Sequence, residues 1–148
     1  KDVKDKVFKL HEQKEKLEIE NKILREEIYK YKGKELLNKS KYIQGVNFIY
    51  NKFENVEFQE INNISSYLTN LNRNIILFGL YGKEYSQFLV GRSNGINIDM
   101  EDVFSEVSQN ININGGGNKQ IVQGKCESKS LDLVLEKFYE NIMGEIKN

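Results

Sequence analysis

The chain is 148 residues long with a mass of 17.3 kDa, the size of one domain, which excludes a multi-domain enzyme within it. Apolar residues make up 39% of it, and eight Phe and eight Tyr are enough to bury a modest core and argue against wholesale disorder. Lys plus Arg and Asp plus Glu both total 22, so the bulk charge lacks the basic excess of a general nucleic-acid binder, and any phosphate contact must be local.

The single cysteine, Cys126, cannot form an internal disulfide, and with the single histidine, His11, it cannot assemble a zinc site. A reducing compartment and a metal-free chain are expected. No apolar run approaches the roughly 20 residues of a spanning helix, and no signal peptide precedes Lys1-Asp2-Val3-Lys4. The expected setting is soluble and cytoplasmic, with no membrane partner. The chain starts on Lys, already in a charged helical pattern, and so reads as a piece of a longer protein.

Residues 1 to 40 hold 12 basic and nine acidic residues, and the composition changes near Ser40. Val3, Val7, Leu10, Leu17, Leu24, Ile28 and Tyr31 recur at alternating steps of three and four, completed by Lys14 and Asn21. This is a coiled-coil seam. With Leu10, Leu17 and Leu24 at d, the a positions hold Val7, Lys14, Asn21 and Ile28, and polar residues at a favour two strands. The predicted partner is a second copy or an upstream helix of the same chain. Tyr31-Lys32-Gly33 interrupts the repeat and Leu36-Leu37 shifts the apolar stripe sideways, a handover to a globular part spanning 41 to 148.

From Val46 the period becomes two, with Val46, Phe48 and Tyr50 alternating against Asn47, Ile49 and Asn51, which predicts a strand with one wet face. A helix is expected from Phe58 on Ile61, Ile64, Tyr67, Leu68 and Leu71. Residues 75 to 81 then form the continuous apolar run of a central strand, and Gly82-Lys83 turns it into a hairpin with Tyr85 to Gly91. Asp99 opens another helix with a buried stripe of Met100, Val103, Phe104 and Val107, and Asp102 stands in the capping-box position. After three glycines come a short strand through Ile121-Val122 and a last helix capped by Ser130 and bearing Leu131, Val134, Leu135, Phe138 and Ile142. The expected fold is mixed α/β: a long N-terminal coiled-coil helix, then a small mixed β-sheet of about four strands flanked by helices. Proline and alanine are absent, so the helices rely on packing and caps more than on propensity.

No paired histidines, no G-x-S-x-G, no H-E-x-x-H and no Walker glycine-lysine pattern occur, and no catalytic residue is assigned. Glu101 and Asp102 sit at a helix start, where acids complement the dipole, and His11 falls on a solvated flank of the seam. The informative stretch runs from Asn114 to Lys125. Gly115, Gly116 and Gly117 let a backbone approach a phosphate or ribose closely, with Lys119 and Lys125 beside them. A flexible connection between helix and strand is the alternative at this point.

The triple glycine, four residues and then Val122-Gln123-Gly124 resemble the DHH-associated domain, in which G-G-G is followed by four variable residues and A-Q-G. Val122 replaces the family's alanine and Lys125-Cys126 replace glycines. With Lys34-Glu35-Leu36-Leu37, Ile75-Ile76-Leu77-Phe78-Gly79, Phe88-Leu89-Val90-Gly91-Arg92-Ser93 and Asn97-Ile98-Asp99-Met100, the chain looks like the C-terminal part of a long-form alanyl-tRNA editing protein of the AlaX type. The C-terminal C-Ala domain of alanyl-tRNA synthetase is the runner-up.

That resemblance implies a non-catalytic module of a hydrolase that deacylates mischarged tRNA(Ala), with a zinc editing domain upstream and no cofactor in this segment. It implies tRNA(Ala) as partner, at the elbow, and a homodimer through the N-terminal helix. The matched residues implied to bind tRNA are Gly115, Gly116, Gly117, Gln123 and Gly124, with Asn118, Lys119 and Arg92 beside them. Val7, Leu10, Leu17, Asn21, Leu24 and Ile28 are the implied dimer contacts. A purely structural coiled-coil oligomeriser and the substrate-binding half of a DHH-type phosphoesterase are the competing readings. The latter's glycine segment usually carries a histidine, absent here.

Overall fold

A computed structural model describes residues 2–147, with side chains for residues 3–147. The apolar run Asn74–Leu80 forms β3, buried along nearly its whole length, as a strand covered on both faces must be. Around it lies one six-stranded sheet in the order β1-β2-β3-β4-β6-β5. Its strands are β1 (Lys41–Ile43), β2 (Val46–Phe53), β3, β4 (Tyr85–Arg92), β5 (Asn114–Gly117) and β6 (Ile121–Glu127). Only β2 and β3 run parallel, joined by helix α2 (Phe58–Asn70); every other neighbouring pair is antiparallel.

Helices cover both faces. On one, α3 (Met100–Asn110) and α4 (Leu131–Lys147) bury Met100, Val103, Val107, Val134 and Phe138 against Phe48, Leu77 and Phe88. Phe88 stacks with Phe138 and Phe104, at 5.3 and 6.2 Å between ring centres. On the other, α2 and the end of the long helix α1 (Asp2–Asn38) close over Ile49, Ile76, Phe78 and Leu89. The arrangement is thus three layers, helices on a mixed sheet on helices.

Two expectations change here. The sheet has six strands and not about four, because residues 41–43 add a short hairpin arm to β2 and the three glycines pair with β6. The wet face expected for β2 is also largely covered: Ile49 is fully buried beneath α2 while Phe48 is buried on the opposite side, and Tyr50 and Lys52 are the exposed residues. The last helix is entered through a 3₁₀ turn at Ser128–Ser130, so Ser130 lies inside that turn rather than acting as a side-chain cap. Asp99 does cap α3, its Oδ1 accepting from the backbone N–H of Glu101 at 2.9 Å and of Asp102 at 3.4 Å.

Helix α1 continues unbroken through Gly33. A Cβ at Gly33 would stand 2.6 Å from the Tyr67 ring, so the lack of a side chain lets α1 and α2 close together. Tyr29, Leu36 and Leu37 pack there, and Lys32 Nζ donates to Glu60 at 2.7 Å.

A buried asparagine ties three elements. Asn74 donates from its side-chain amide to the Leu68 carbonyl at 2.8 Å, its Oδ1 accepts from Asn47, and its backbone N–H donates to Ser93 Oγ. Asn74→Ala would remove the amide that the Leu68 carbonyl accepts beside the Leu71 N–H, and would leave the Asn47 amide without its acceptor. A loss of about 2 to 3 kcal/mol is expected, read as a melting point lower by roughly 5 to 10 °C.

Candidate functional site

The glycine segment is an edge strand. Gly115 pairs with Gly124, Gly116 with Gln123 and Gly117 with Val122, and no strand lies on the outer side of β5 among the described residues.

The glycines are not equivalent. A Cβ at Gly115, whose φ is +151°, would lie 2.1 Å from the Gln123 carbonyl oxygen; one at Gly117 would lie 2.1 Å from that of Ile121. At Gly124 it would meet the Asn114 carbonyl oxygen at 2.2 Å and the Phe88 ring at 2.8 Å. All three are glycine because β5 and β6 approach each other closely. Gly116 is the half-buried one of the three consecutive glycines, yet nothing lies within 4 Å of its missing Cβ, so the space over it is open.

Shallow hollows flank the strand on both faces. One, of about 370 Å³, is lined by Phe58, Gln87, Asn114, Gln123 and Lys125 together with Gly115, Gly116 and Gly124. The other, about 240 Å³, is lined by Glu101, Phe104 and Ser105. The two differ in charge: an anion is attracted to the Lys125 side and repelled on the Glu101 side. Neither Lys119 nor Lys125 forms an ion pair among the described residues.

The remaining sequence-implied residues divide by what their side chains already do. Asn118 Oδ1 accepts from the backbone N–H groups of Gln120 at 2.8 Å and Ile121 at 3.0 Å, closing the turn from β5 into β6. Arg92 donates through Nε to the Ile98 carbonyl and through Nη1 to that of Ser93 at 3.2 Å, bracing the loop before α3. Gln123 is exposed beside Gly116. Gly115, Gly116, Gly117, Lys119, Gln123 and Gly124 therefore come together on one ribbon, with Asn118 shaping its turn and Arg92 holding the adjacent loop. Gln87 and Phe58 were not singled out from sequence. They reach the hollow only through the register of β4 against β6 and the start of α2, which no local pattern announces.

The seam residues lie on the free part of α1. Val7, Leu10, Leu17, Leu24 and Ile28 keep between 49% and 65% of their surface exposed, and Asn21 is exposed among them. His11 faces Glu15 across one turn, Nε2 to Oε1 at 3.1 Å, with both side chains in solvent. The zinc implied for the upstream segment finds no ligand set here: no group of three His, Cys, Asp or Glu side chains gathers within metal reach among the described residues.

Cys126, two residues beyond Gly124, is buried in the core under α3 and α4. Burial, and secondarily the charge of Glu127, pushes its thiol up. With the folded value above the unfolded one, the protonated thiol's contribution to stability is whole below the unfolded thiol pKa and fades as pH rises through the folded value. Native protein should react slowly with iodoacetamide at mildly alkaline pH and fast once denatured; equal rates would show an accessible thiolate.

No family model matches the chain. The alanyl-tRNA editing protein AlaX-L of Pyrococcus horikoshii is 28% identical to it over 129 residues, 84% of the chain. The chain spans 31% of that relative's length. Among solved structures, the C-Ala domain from Aquifex aeolicus alanyl-tRNA synthetase aligns at a TM-score of 0.55 and 20% identity, over 67% of this chain and 96% of that one. A pGpG-specific phosphodiesterase from Vibrio cholerae aligns at 0.51 and 12% identity, over 87% of this chain and 42% of that one. At such identities the two structures show the fold alone. Sequence similarity to the editing protein and the shared fold of the C-Ala domain together support a C-Ala-like domain.

Proposed function

We propose, taking the C-Ala-like domain as the premise, that this segment is the tRNA-binding and pairing module of an alanyl-tRNA editing hydrolase, and that it is itself non-catalytic. The observation that carries the reading is the open space over Gly116 on an edge strand, with Lys125 lining the hollow beside it and Lys119 in the adjoining turn, neither in an ion pair among the described residues. RNA is recognised largely by shape, through phosphate and ribose contacts, and such a ribbon admits a sugar-phosphate surface without displacing side chains. The proposed contact is the elbow of tRNA(Ala), whose outer surface a narrow ribbon can meet. The upstream part would hold the zinc editing site and remove the mischarged amino acid, in the cytoplasm.

A C-terminal domain of an alanyl-tRNA synthetase is the second reading, favoured by the coverage of 96% of the C-Ala domain. Both readings share the RNA contact and differ in what lies upstream.

The exposed seam of α1 supports pairing with a second copy. Two modules on one dimer raise avidity for a ligand that reaches both.

Filter binding of tRNA(Ala) transcript across a salt series tests the contact. Lys119→Glu with Lys125→Glu is expected to weaken binding and to flatten the slope of log affinity against log salt by about 2. Unchanged affinity and slope would reduce the glycine ribbon to a structural connection.

A further inference from the structure

A second concavity lies far from the glycine strand, between the β1–β2 edge and α4, with a volume of about 440 Å³. Four strand spacings separate β2 from β5 in the sheet, roughly 20 Å, so one small ligand cannot span both. Its floor is apolar, made by Phe48, Leu77 and Leu135. Two tyrosines wall it. Tyr139 is half-buried and held edge-on by Phe48 at 5.3 Å and 69° between ring planes, while Tyr50 is 52% exposed.

The rim divides by charge. Lys39 and Lys41 stand where α1 hands over to β1, and neither forms an ion pair among the described residues. Across the opening are two acids of α4. Asp132 is engaged by Lys52 Nζ at 2.7 Å, while Glu136, exposed at the rim, has no ionic or hydrogen-bonded partner among the described residues.

We infer that this cleft binds a guanine nucleotide, with the base against the Tyr50 and Tyr139 rings, the phosphate at Lys39 and Lys41, and the base edge at Glu136. A flat π-surface with one anionic end is the ligand this lining complements: aromatic walls take the ring face and ammonium groups take the phosphate. The free carboxylate selects the base, since an ionised carboxylate only accepts hydrogen bonds and guanine offers it two adjacent donors, N1–H and the 2-amino group. Adenine presents a single amino donor beside an acceptor and fits less well. Burial raises the Tyr50 hydroxyl against the opposing pull of Lys52, so the wall stays neutral at physiological pH. The same chemistry is met in a free mononucleotide and in an unpaired guanosine of an RNA strand.

The test is NMR titration of the full 148-residue chain with GMP, with AMP, and with a short single-stranded RNA containing one guanosine. Expected are shifts at Tyr50 and Tyr139, tighter binding of GMP than AMP, and about tenfold weaker GMP binding in Tyr50→Ala. Glu136→Gln should bring GMP and AMP level. An RNA that binds more tightly than GMP with the same Tyr50 dependence supports the cleft and marks a strand as its source; GMP binding at least as tightly supports it and marks a free nucleotide. No shift at the cleft under saturating GMP, AMP binding as well as GMP, or Tyr50→Ala without effect overturns the inference. Because Tyr50 is exposed, its replacement spares the core, and Lys41→Glu provides a second variant on the opposite rim. The glycine-ribbon reading is judged separately by Lys119→Glu with Lys125→Glu, which should leave GMP binding at the cleft unchanged.

Discussion

Gly116→Asp should abolish most tRNA binding while leaving the melting point within a degree or two of the parent, whereas Gly115→Ala should lower the melting point. The asymmetry follows from what each missing side chain would meet. At Gly116 nothing lies within 4 Å, so a carboxylate projects outward from the ribbon and opposes any phosphate brought against it by charge and by bulk. At Gly115 a Cβ collides with the Gln123 carbonyl at 2.1 Å, and the φ of +151° is itself one that side chains avoid. The strand pair must open or shift, at about 2 to 3 kcal/mol, roughly 5 to 10 °C in melting point. Thermal melts paired with filter binding on the two variants check this. If Gly116→Asp binds tRNA(Ala) like the parent, the ribbon is not the contact.

The second large effect is expected on assembly. Leu17→Glu with Leu24→Glu places charges at two d positions that are 58% and 56% exposed in the single chain, and multi-angle light scattering is expected to report a dimer for the parent and a monomer for this variant. Helical circular dichroism should fall with it, because residues 2 to 28 of α1 lie N-terminal to its docked end, and a polar helix without burial frays. Asn21→Leu should act in the opposite sense, strengthening association while loosening the preference for two strands, as polar a positions do in reverse. A parent that stays monomeric at high micromolar concentration would refute intermolecular pairing through this seam.

How far the sequence discloses this molecule depends on whether a feature is local. The helix stripes of Ile61, Ile64 and Leu68, of Met100, Val103 and Val107, and of Leu131, Val134, Leu135, Phe138 and Ile142 are buried as their spacing indicates. The seven-residue run at β3 is likewise the buried middle of the sheet. Strand β5 escaped recognition because Asn-Gly-Gly-Gly has the lowest strand propensity available; it is a strand only because Gly124 on β6 permits a close approach. Strand β1 is three residues long and reverses at Gln44 and Gly45, both at positive φ, a turn with little composition to mark it. At the site, the glycines and lysines could be read directly. Their division into residues that serve the strand pair and one that is free could not, since it depends on carbonyls contributed by another strand.

Both margins of the sheet are short, three residues at β1 and four at β5, whereas the inner strands run to seven or eight. A margin that brief offers an incoming polypeptide too few amide and carbonyl groups to nucleate runaway stacking, and glycine supplies no side chains for a dry zipper. A β-branched residue at Gly116, where a side chain would meet nothing within 4 Å, would make that quiet border stickier. The stretch of chain proposed to meet RNA is thus also one whose composition disfavours edge-to-edge stacking.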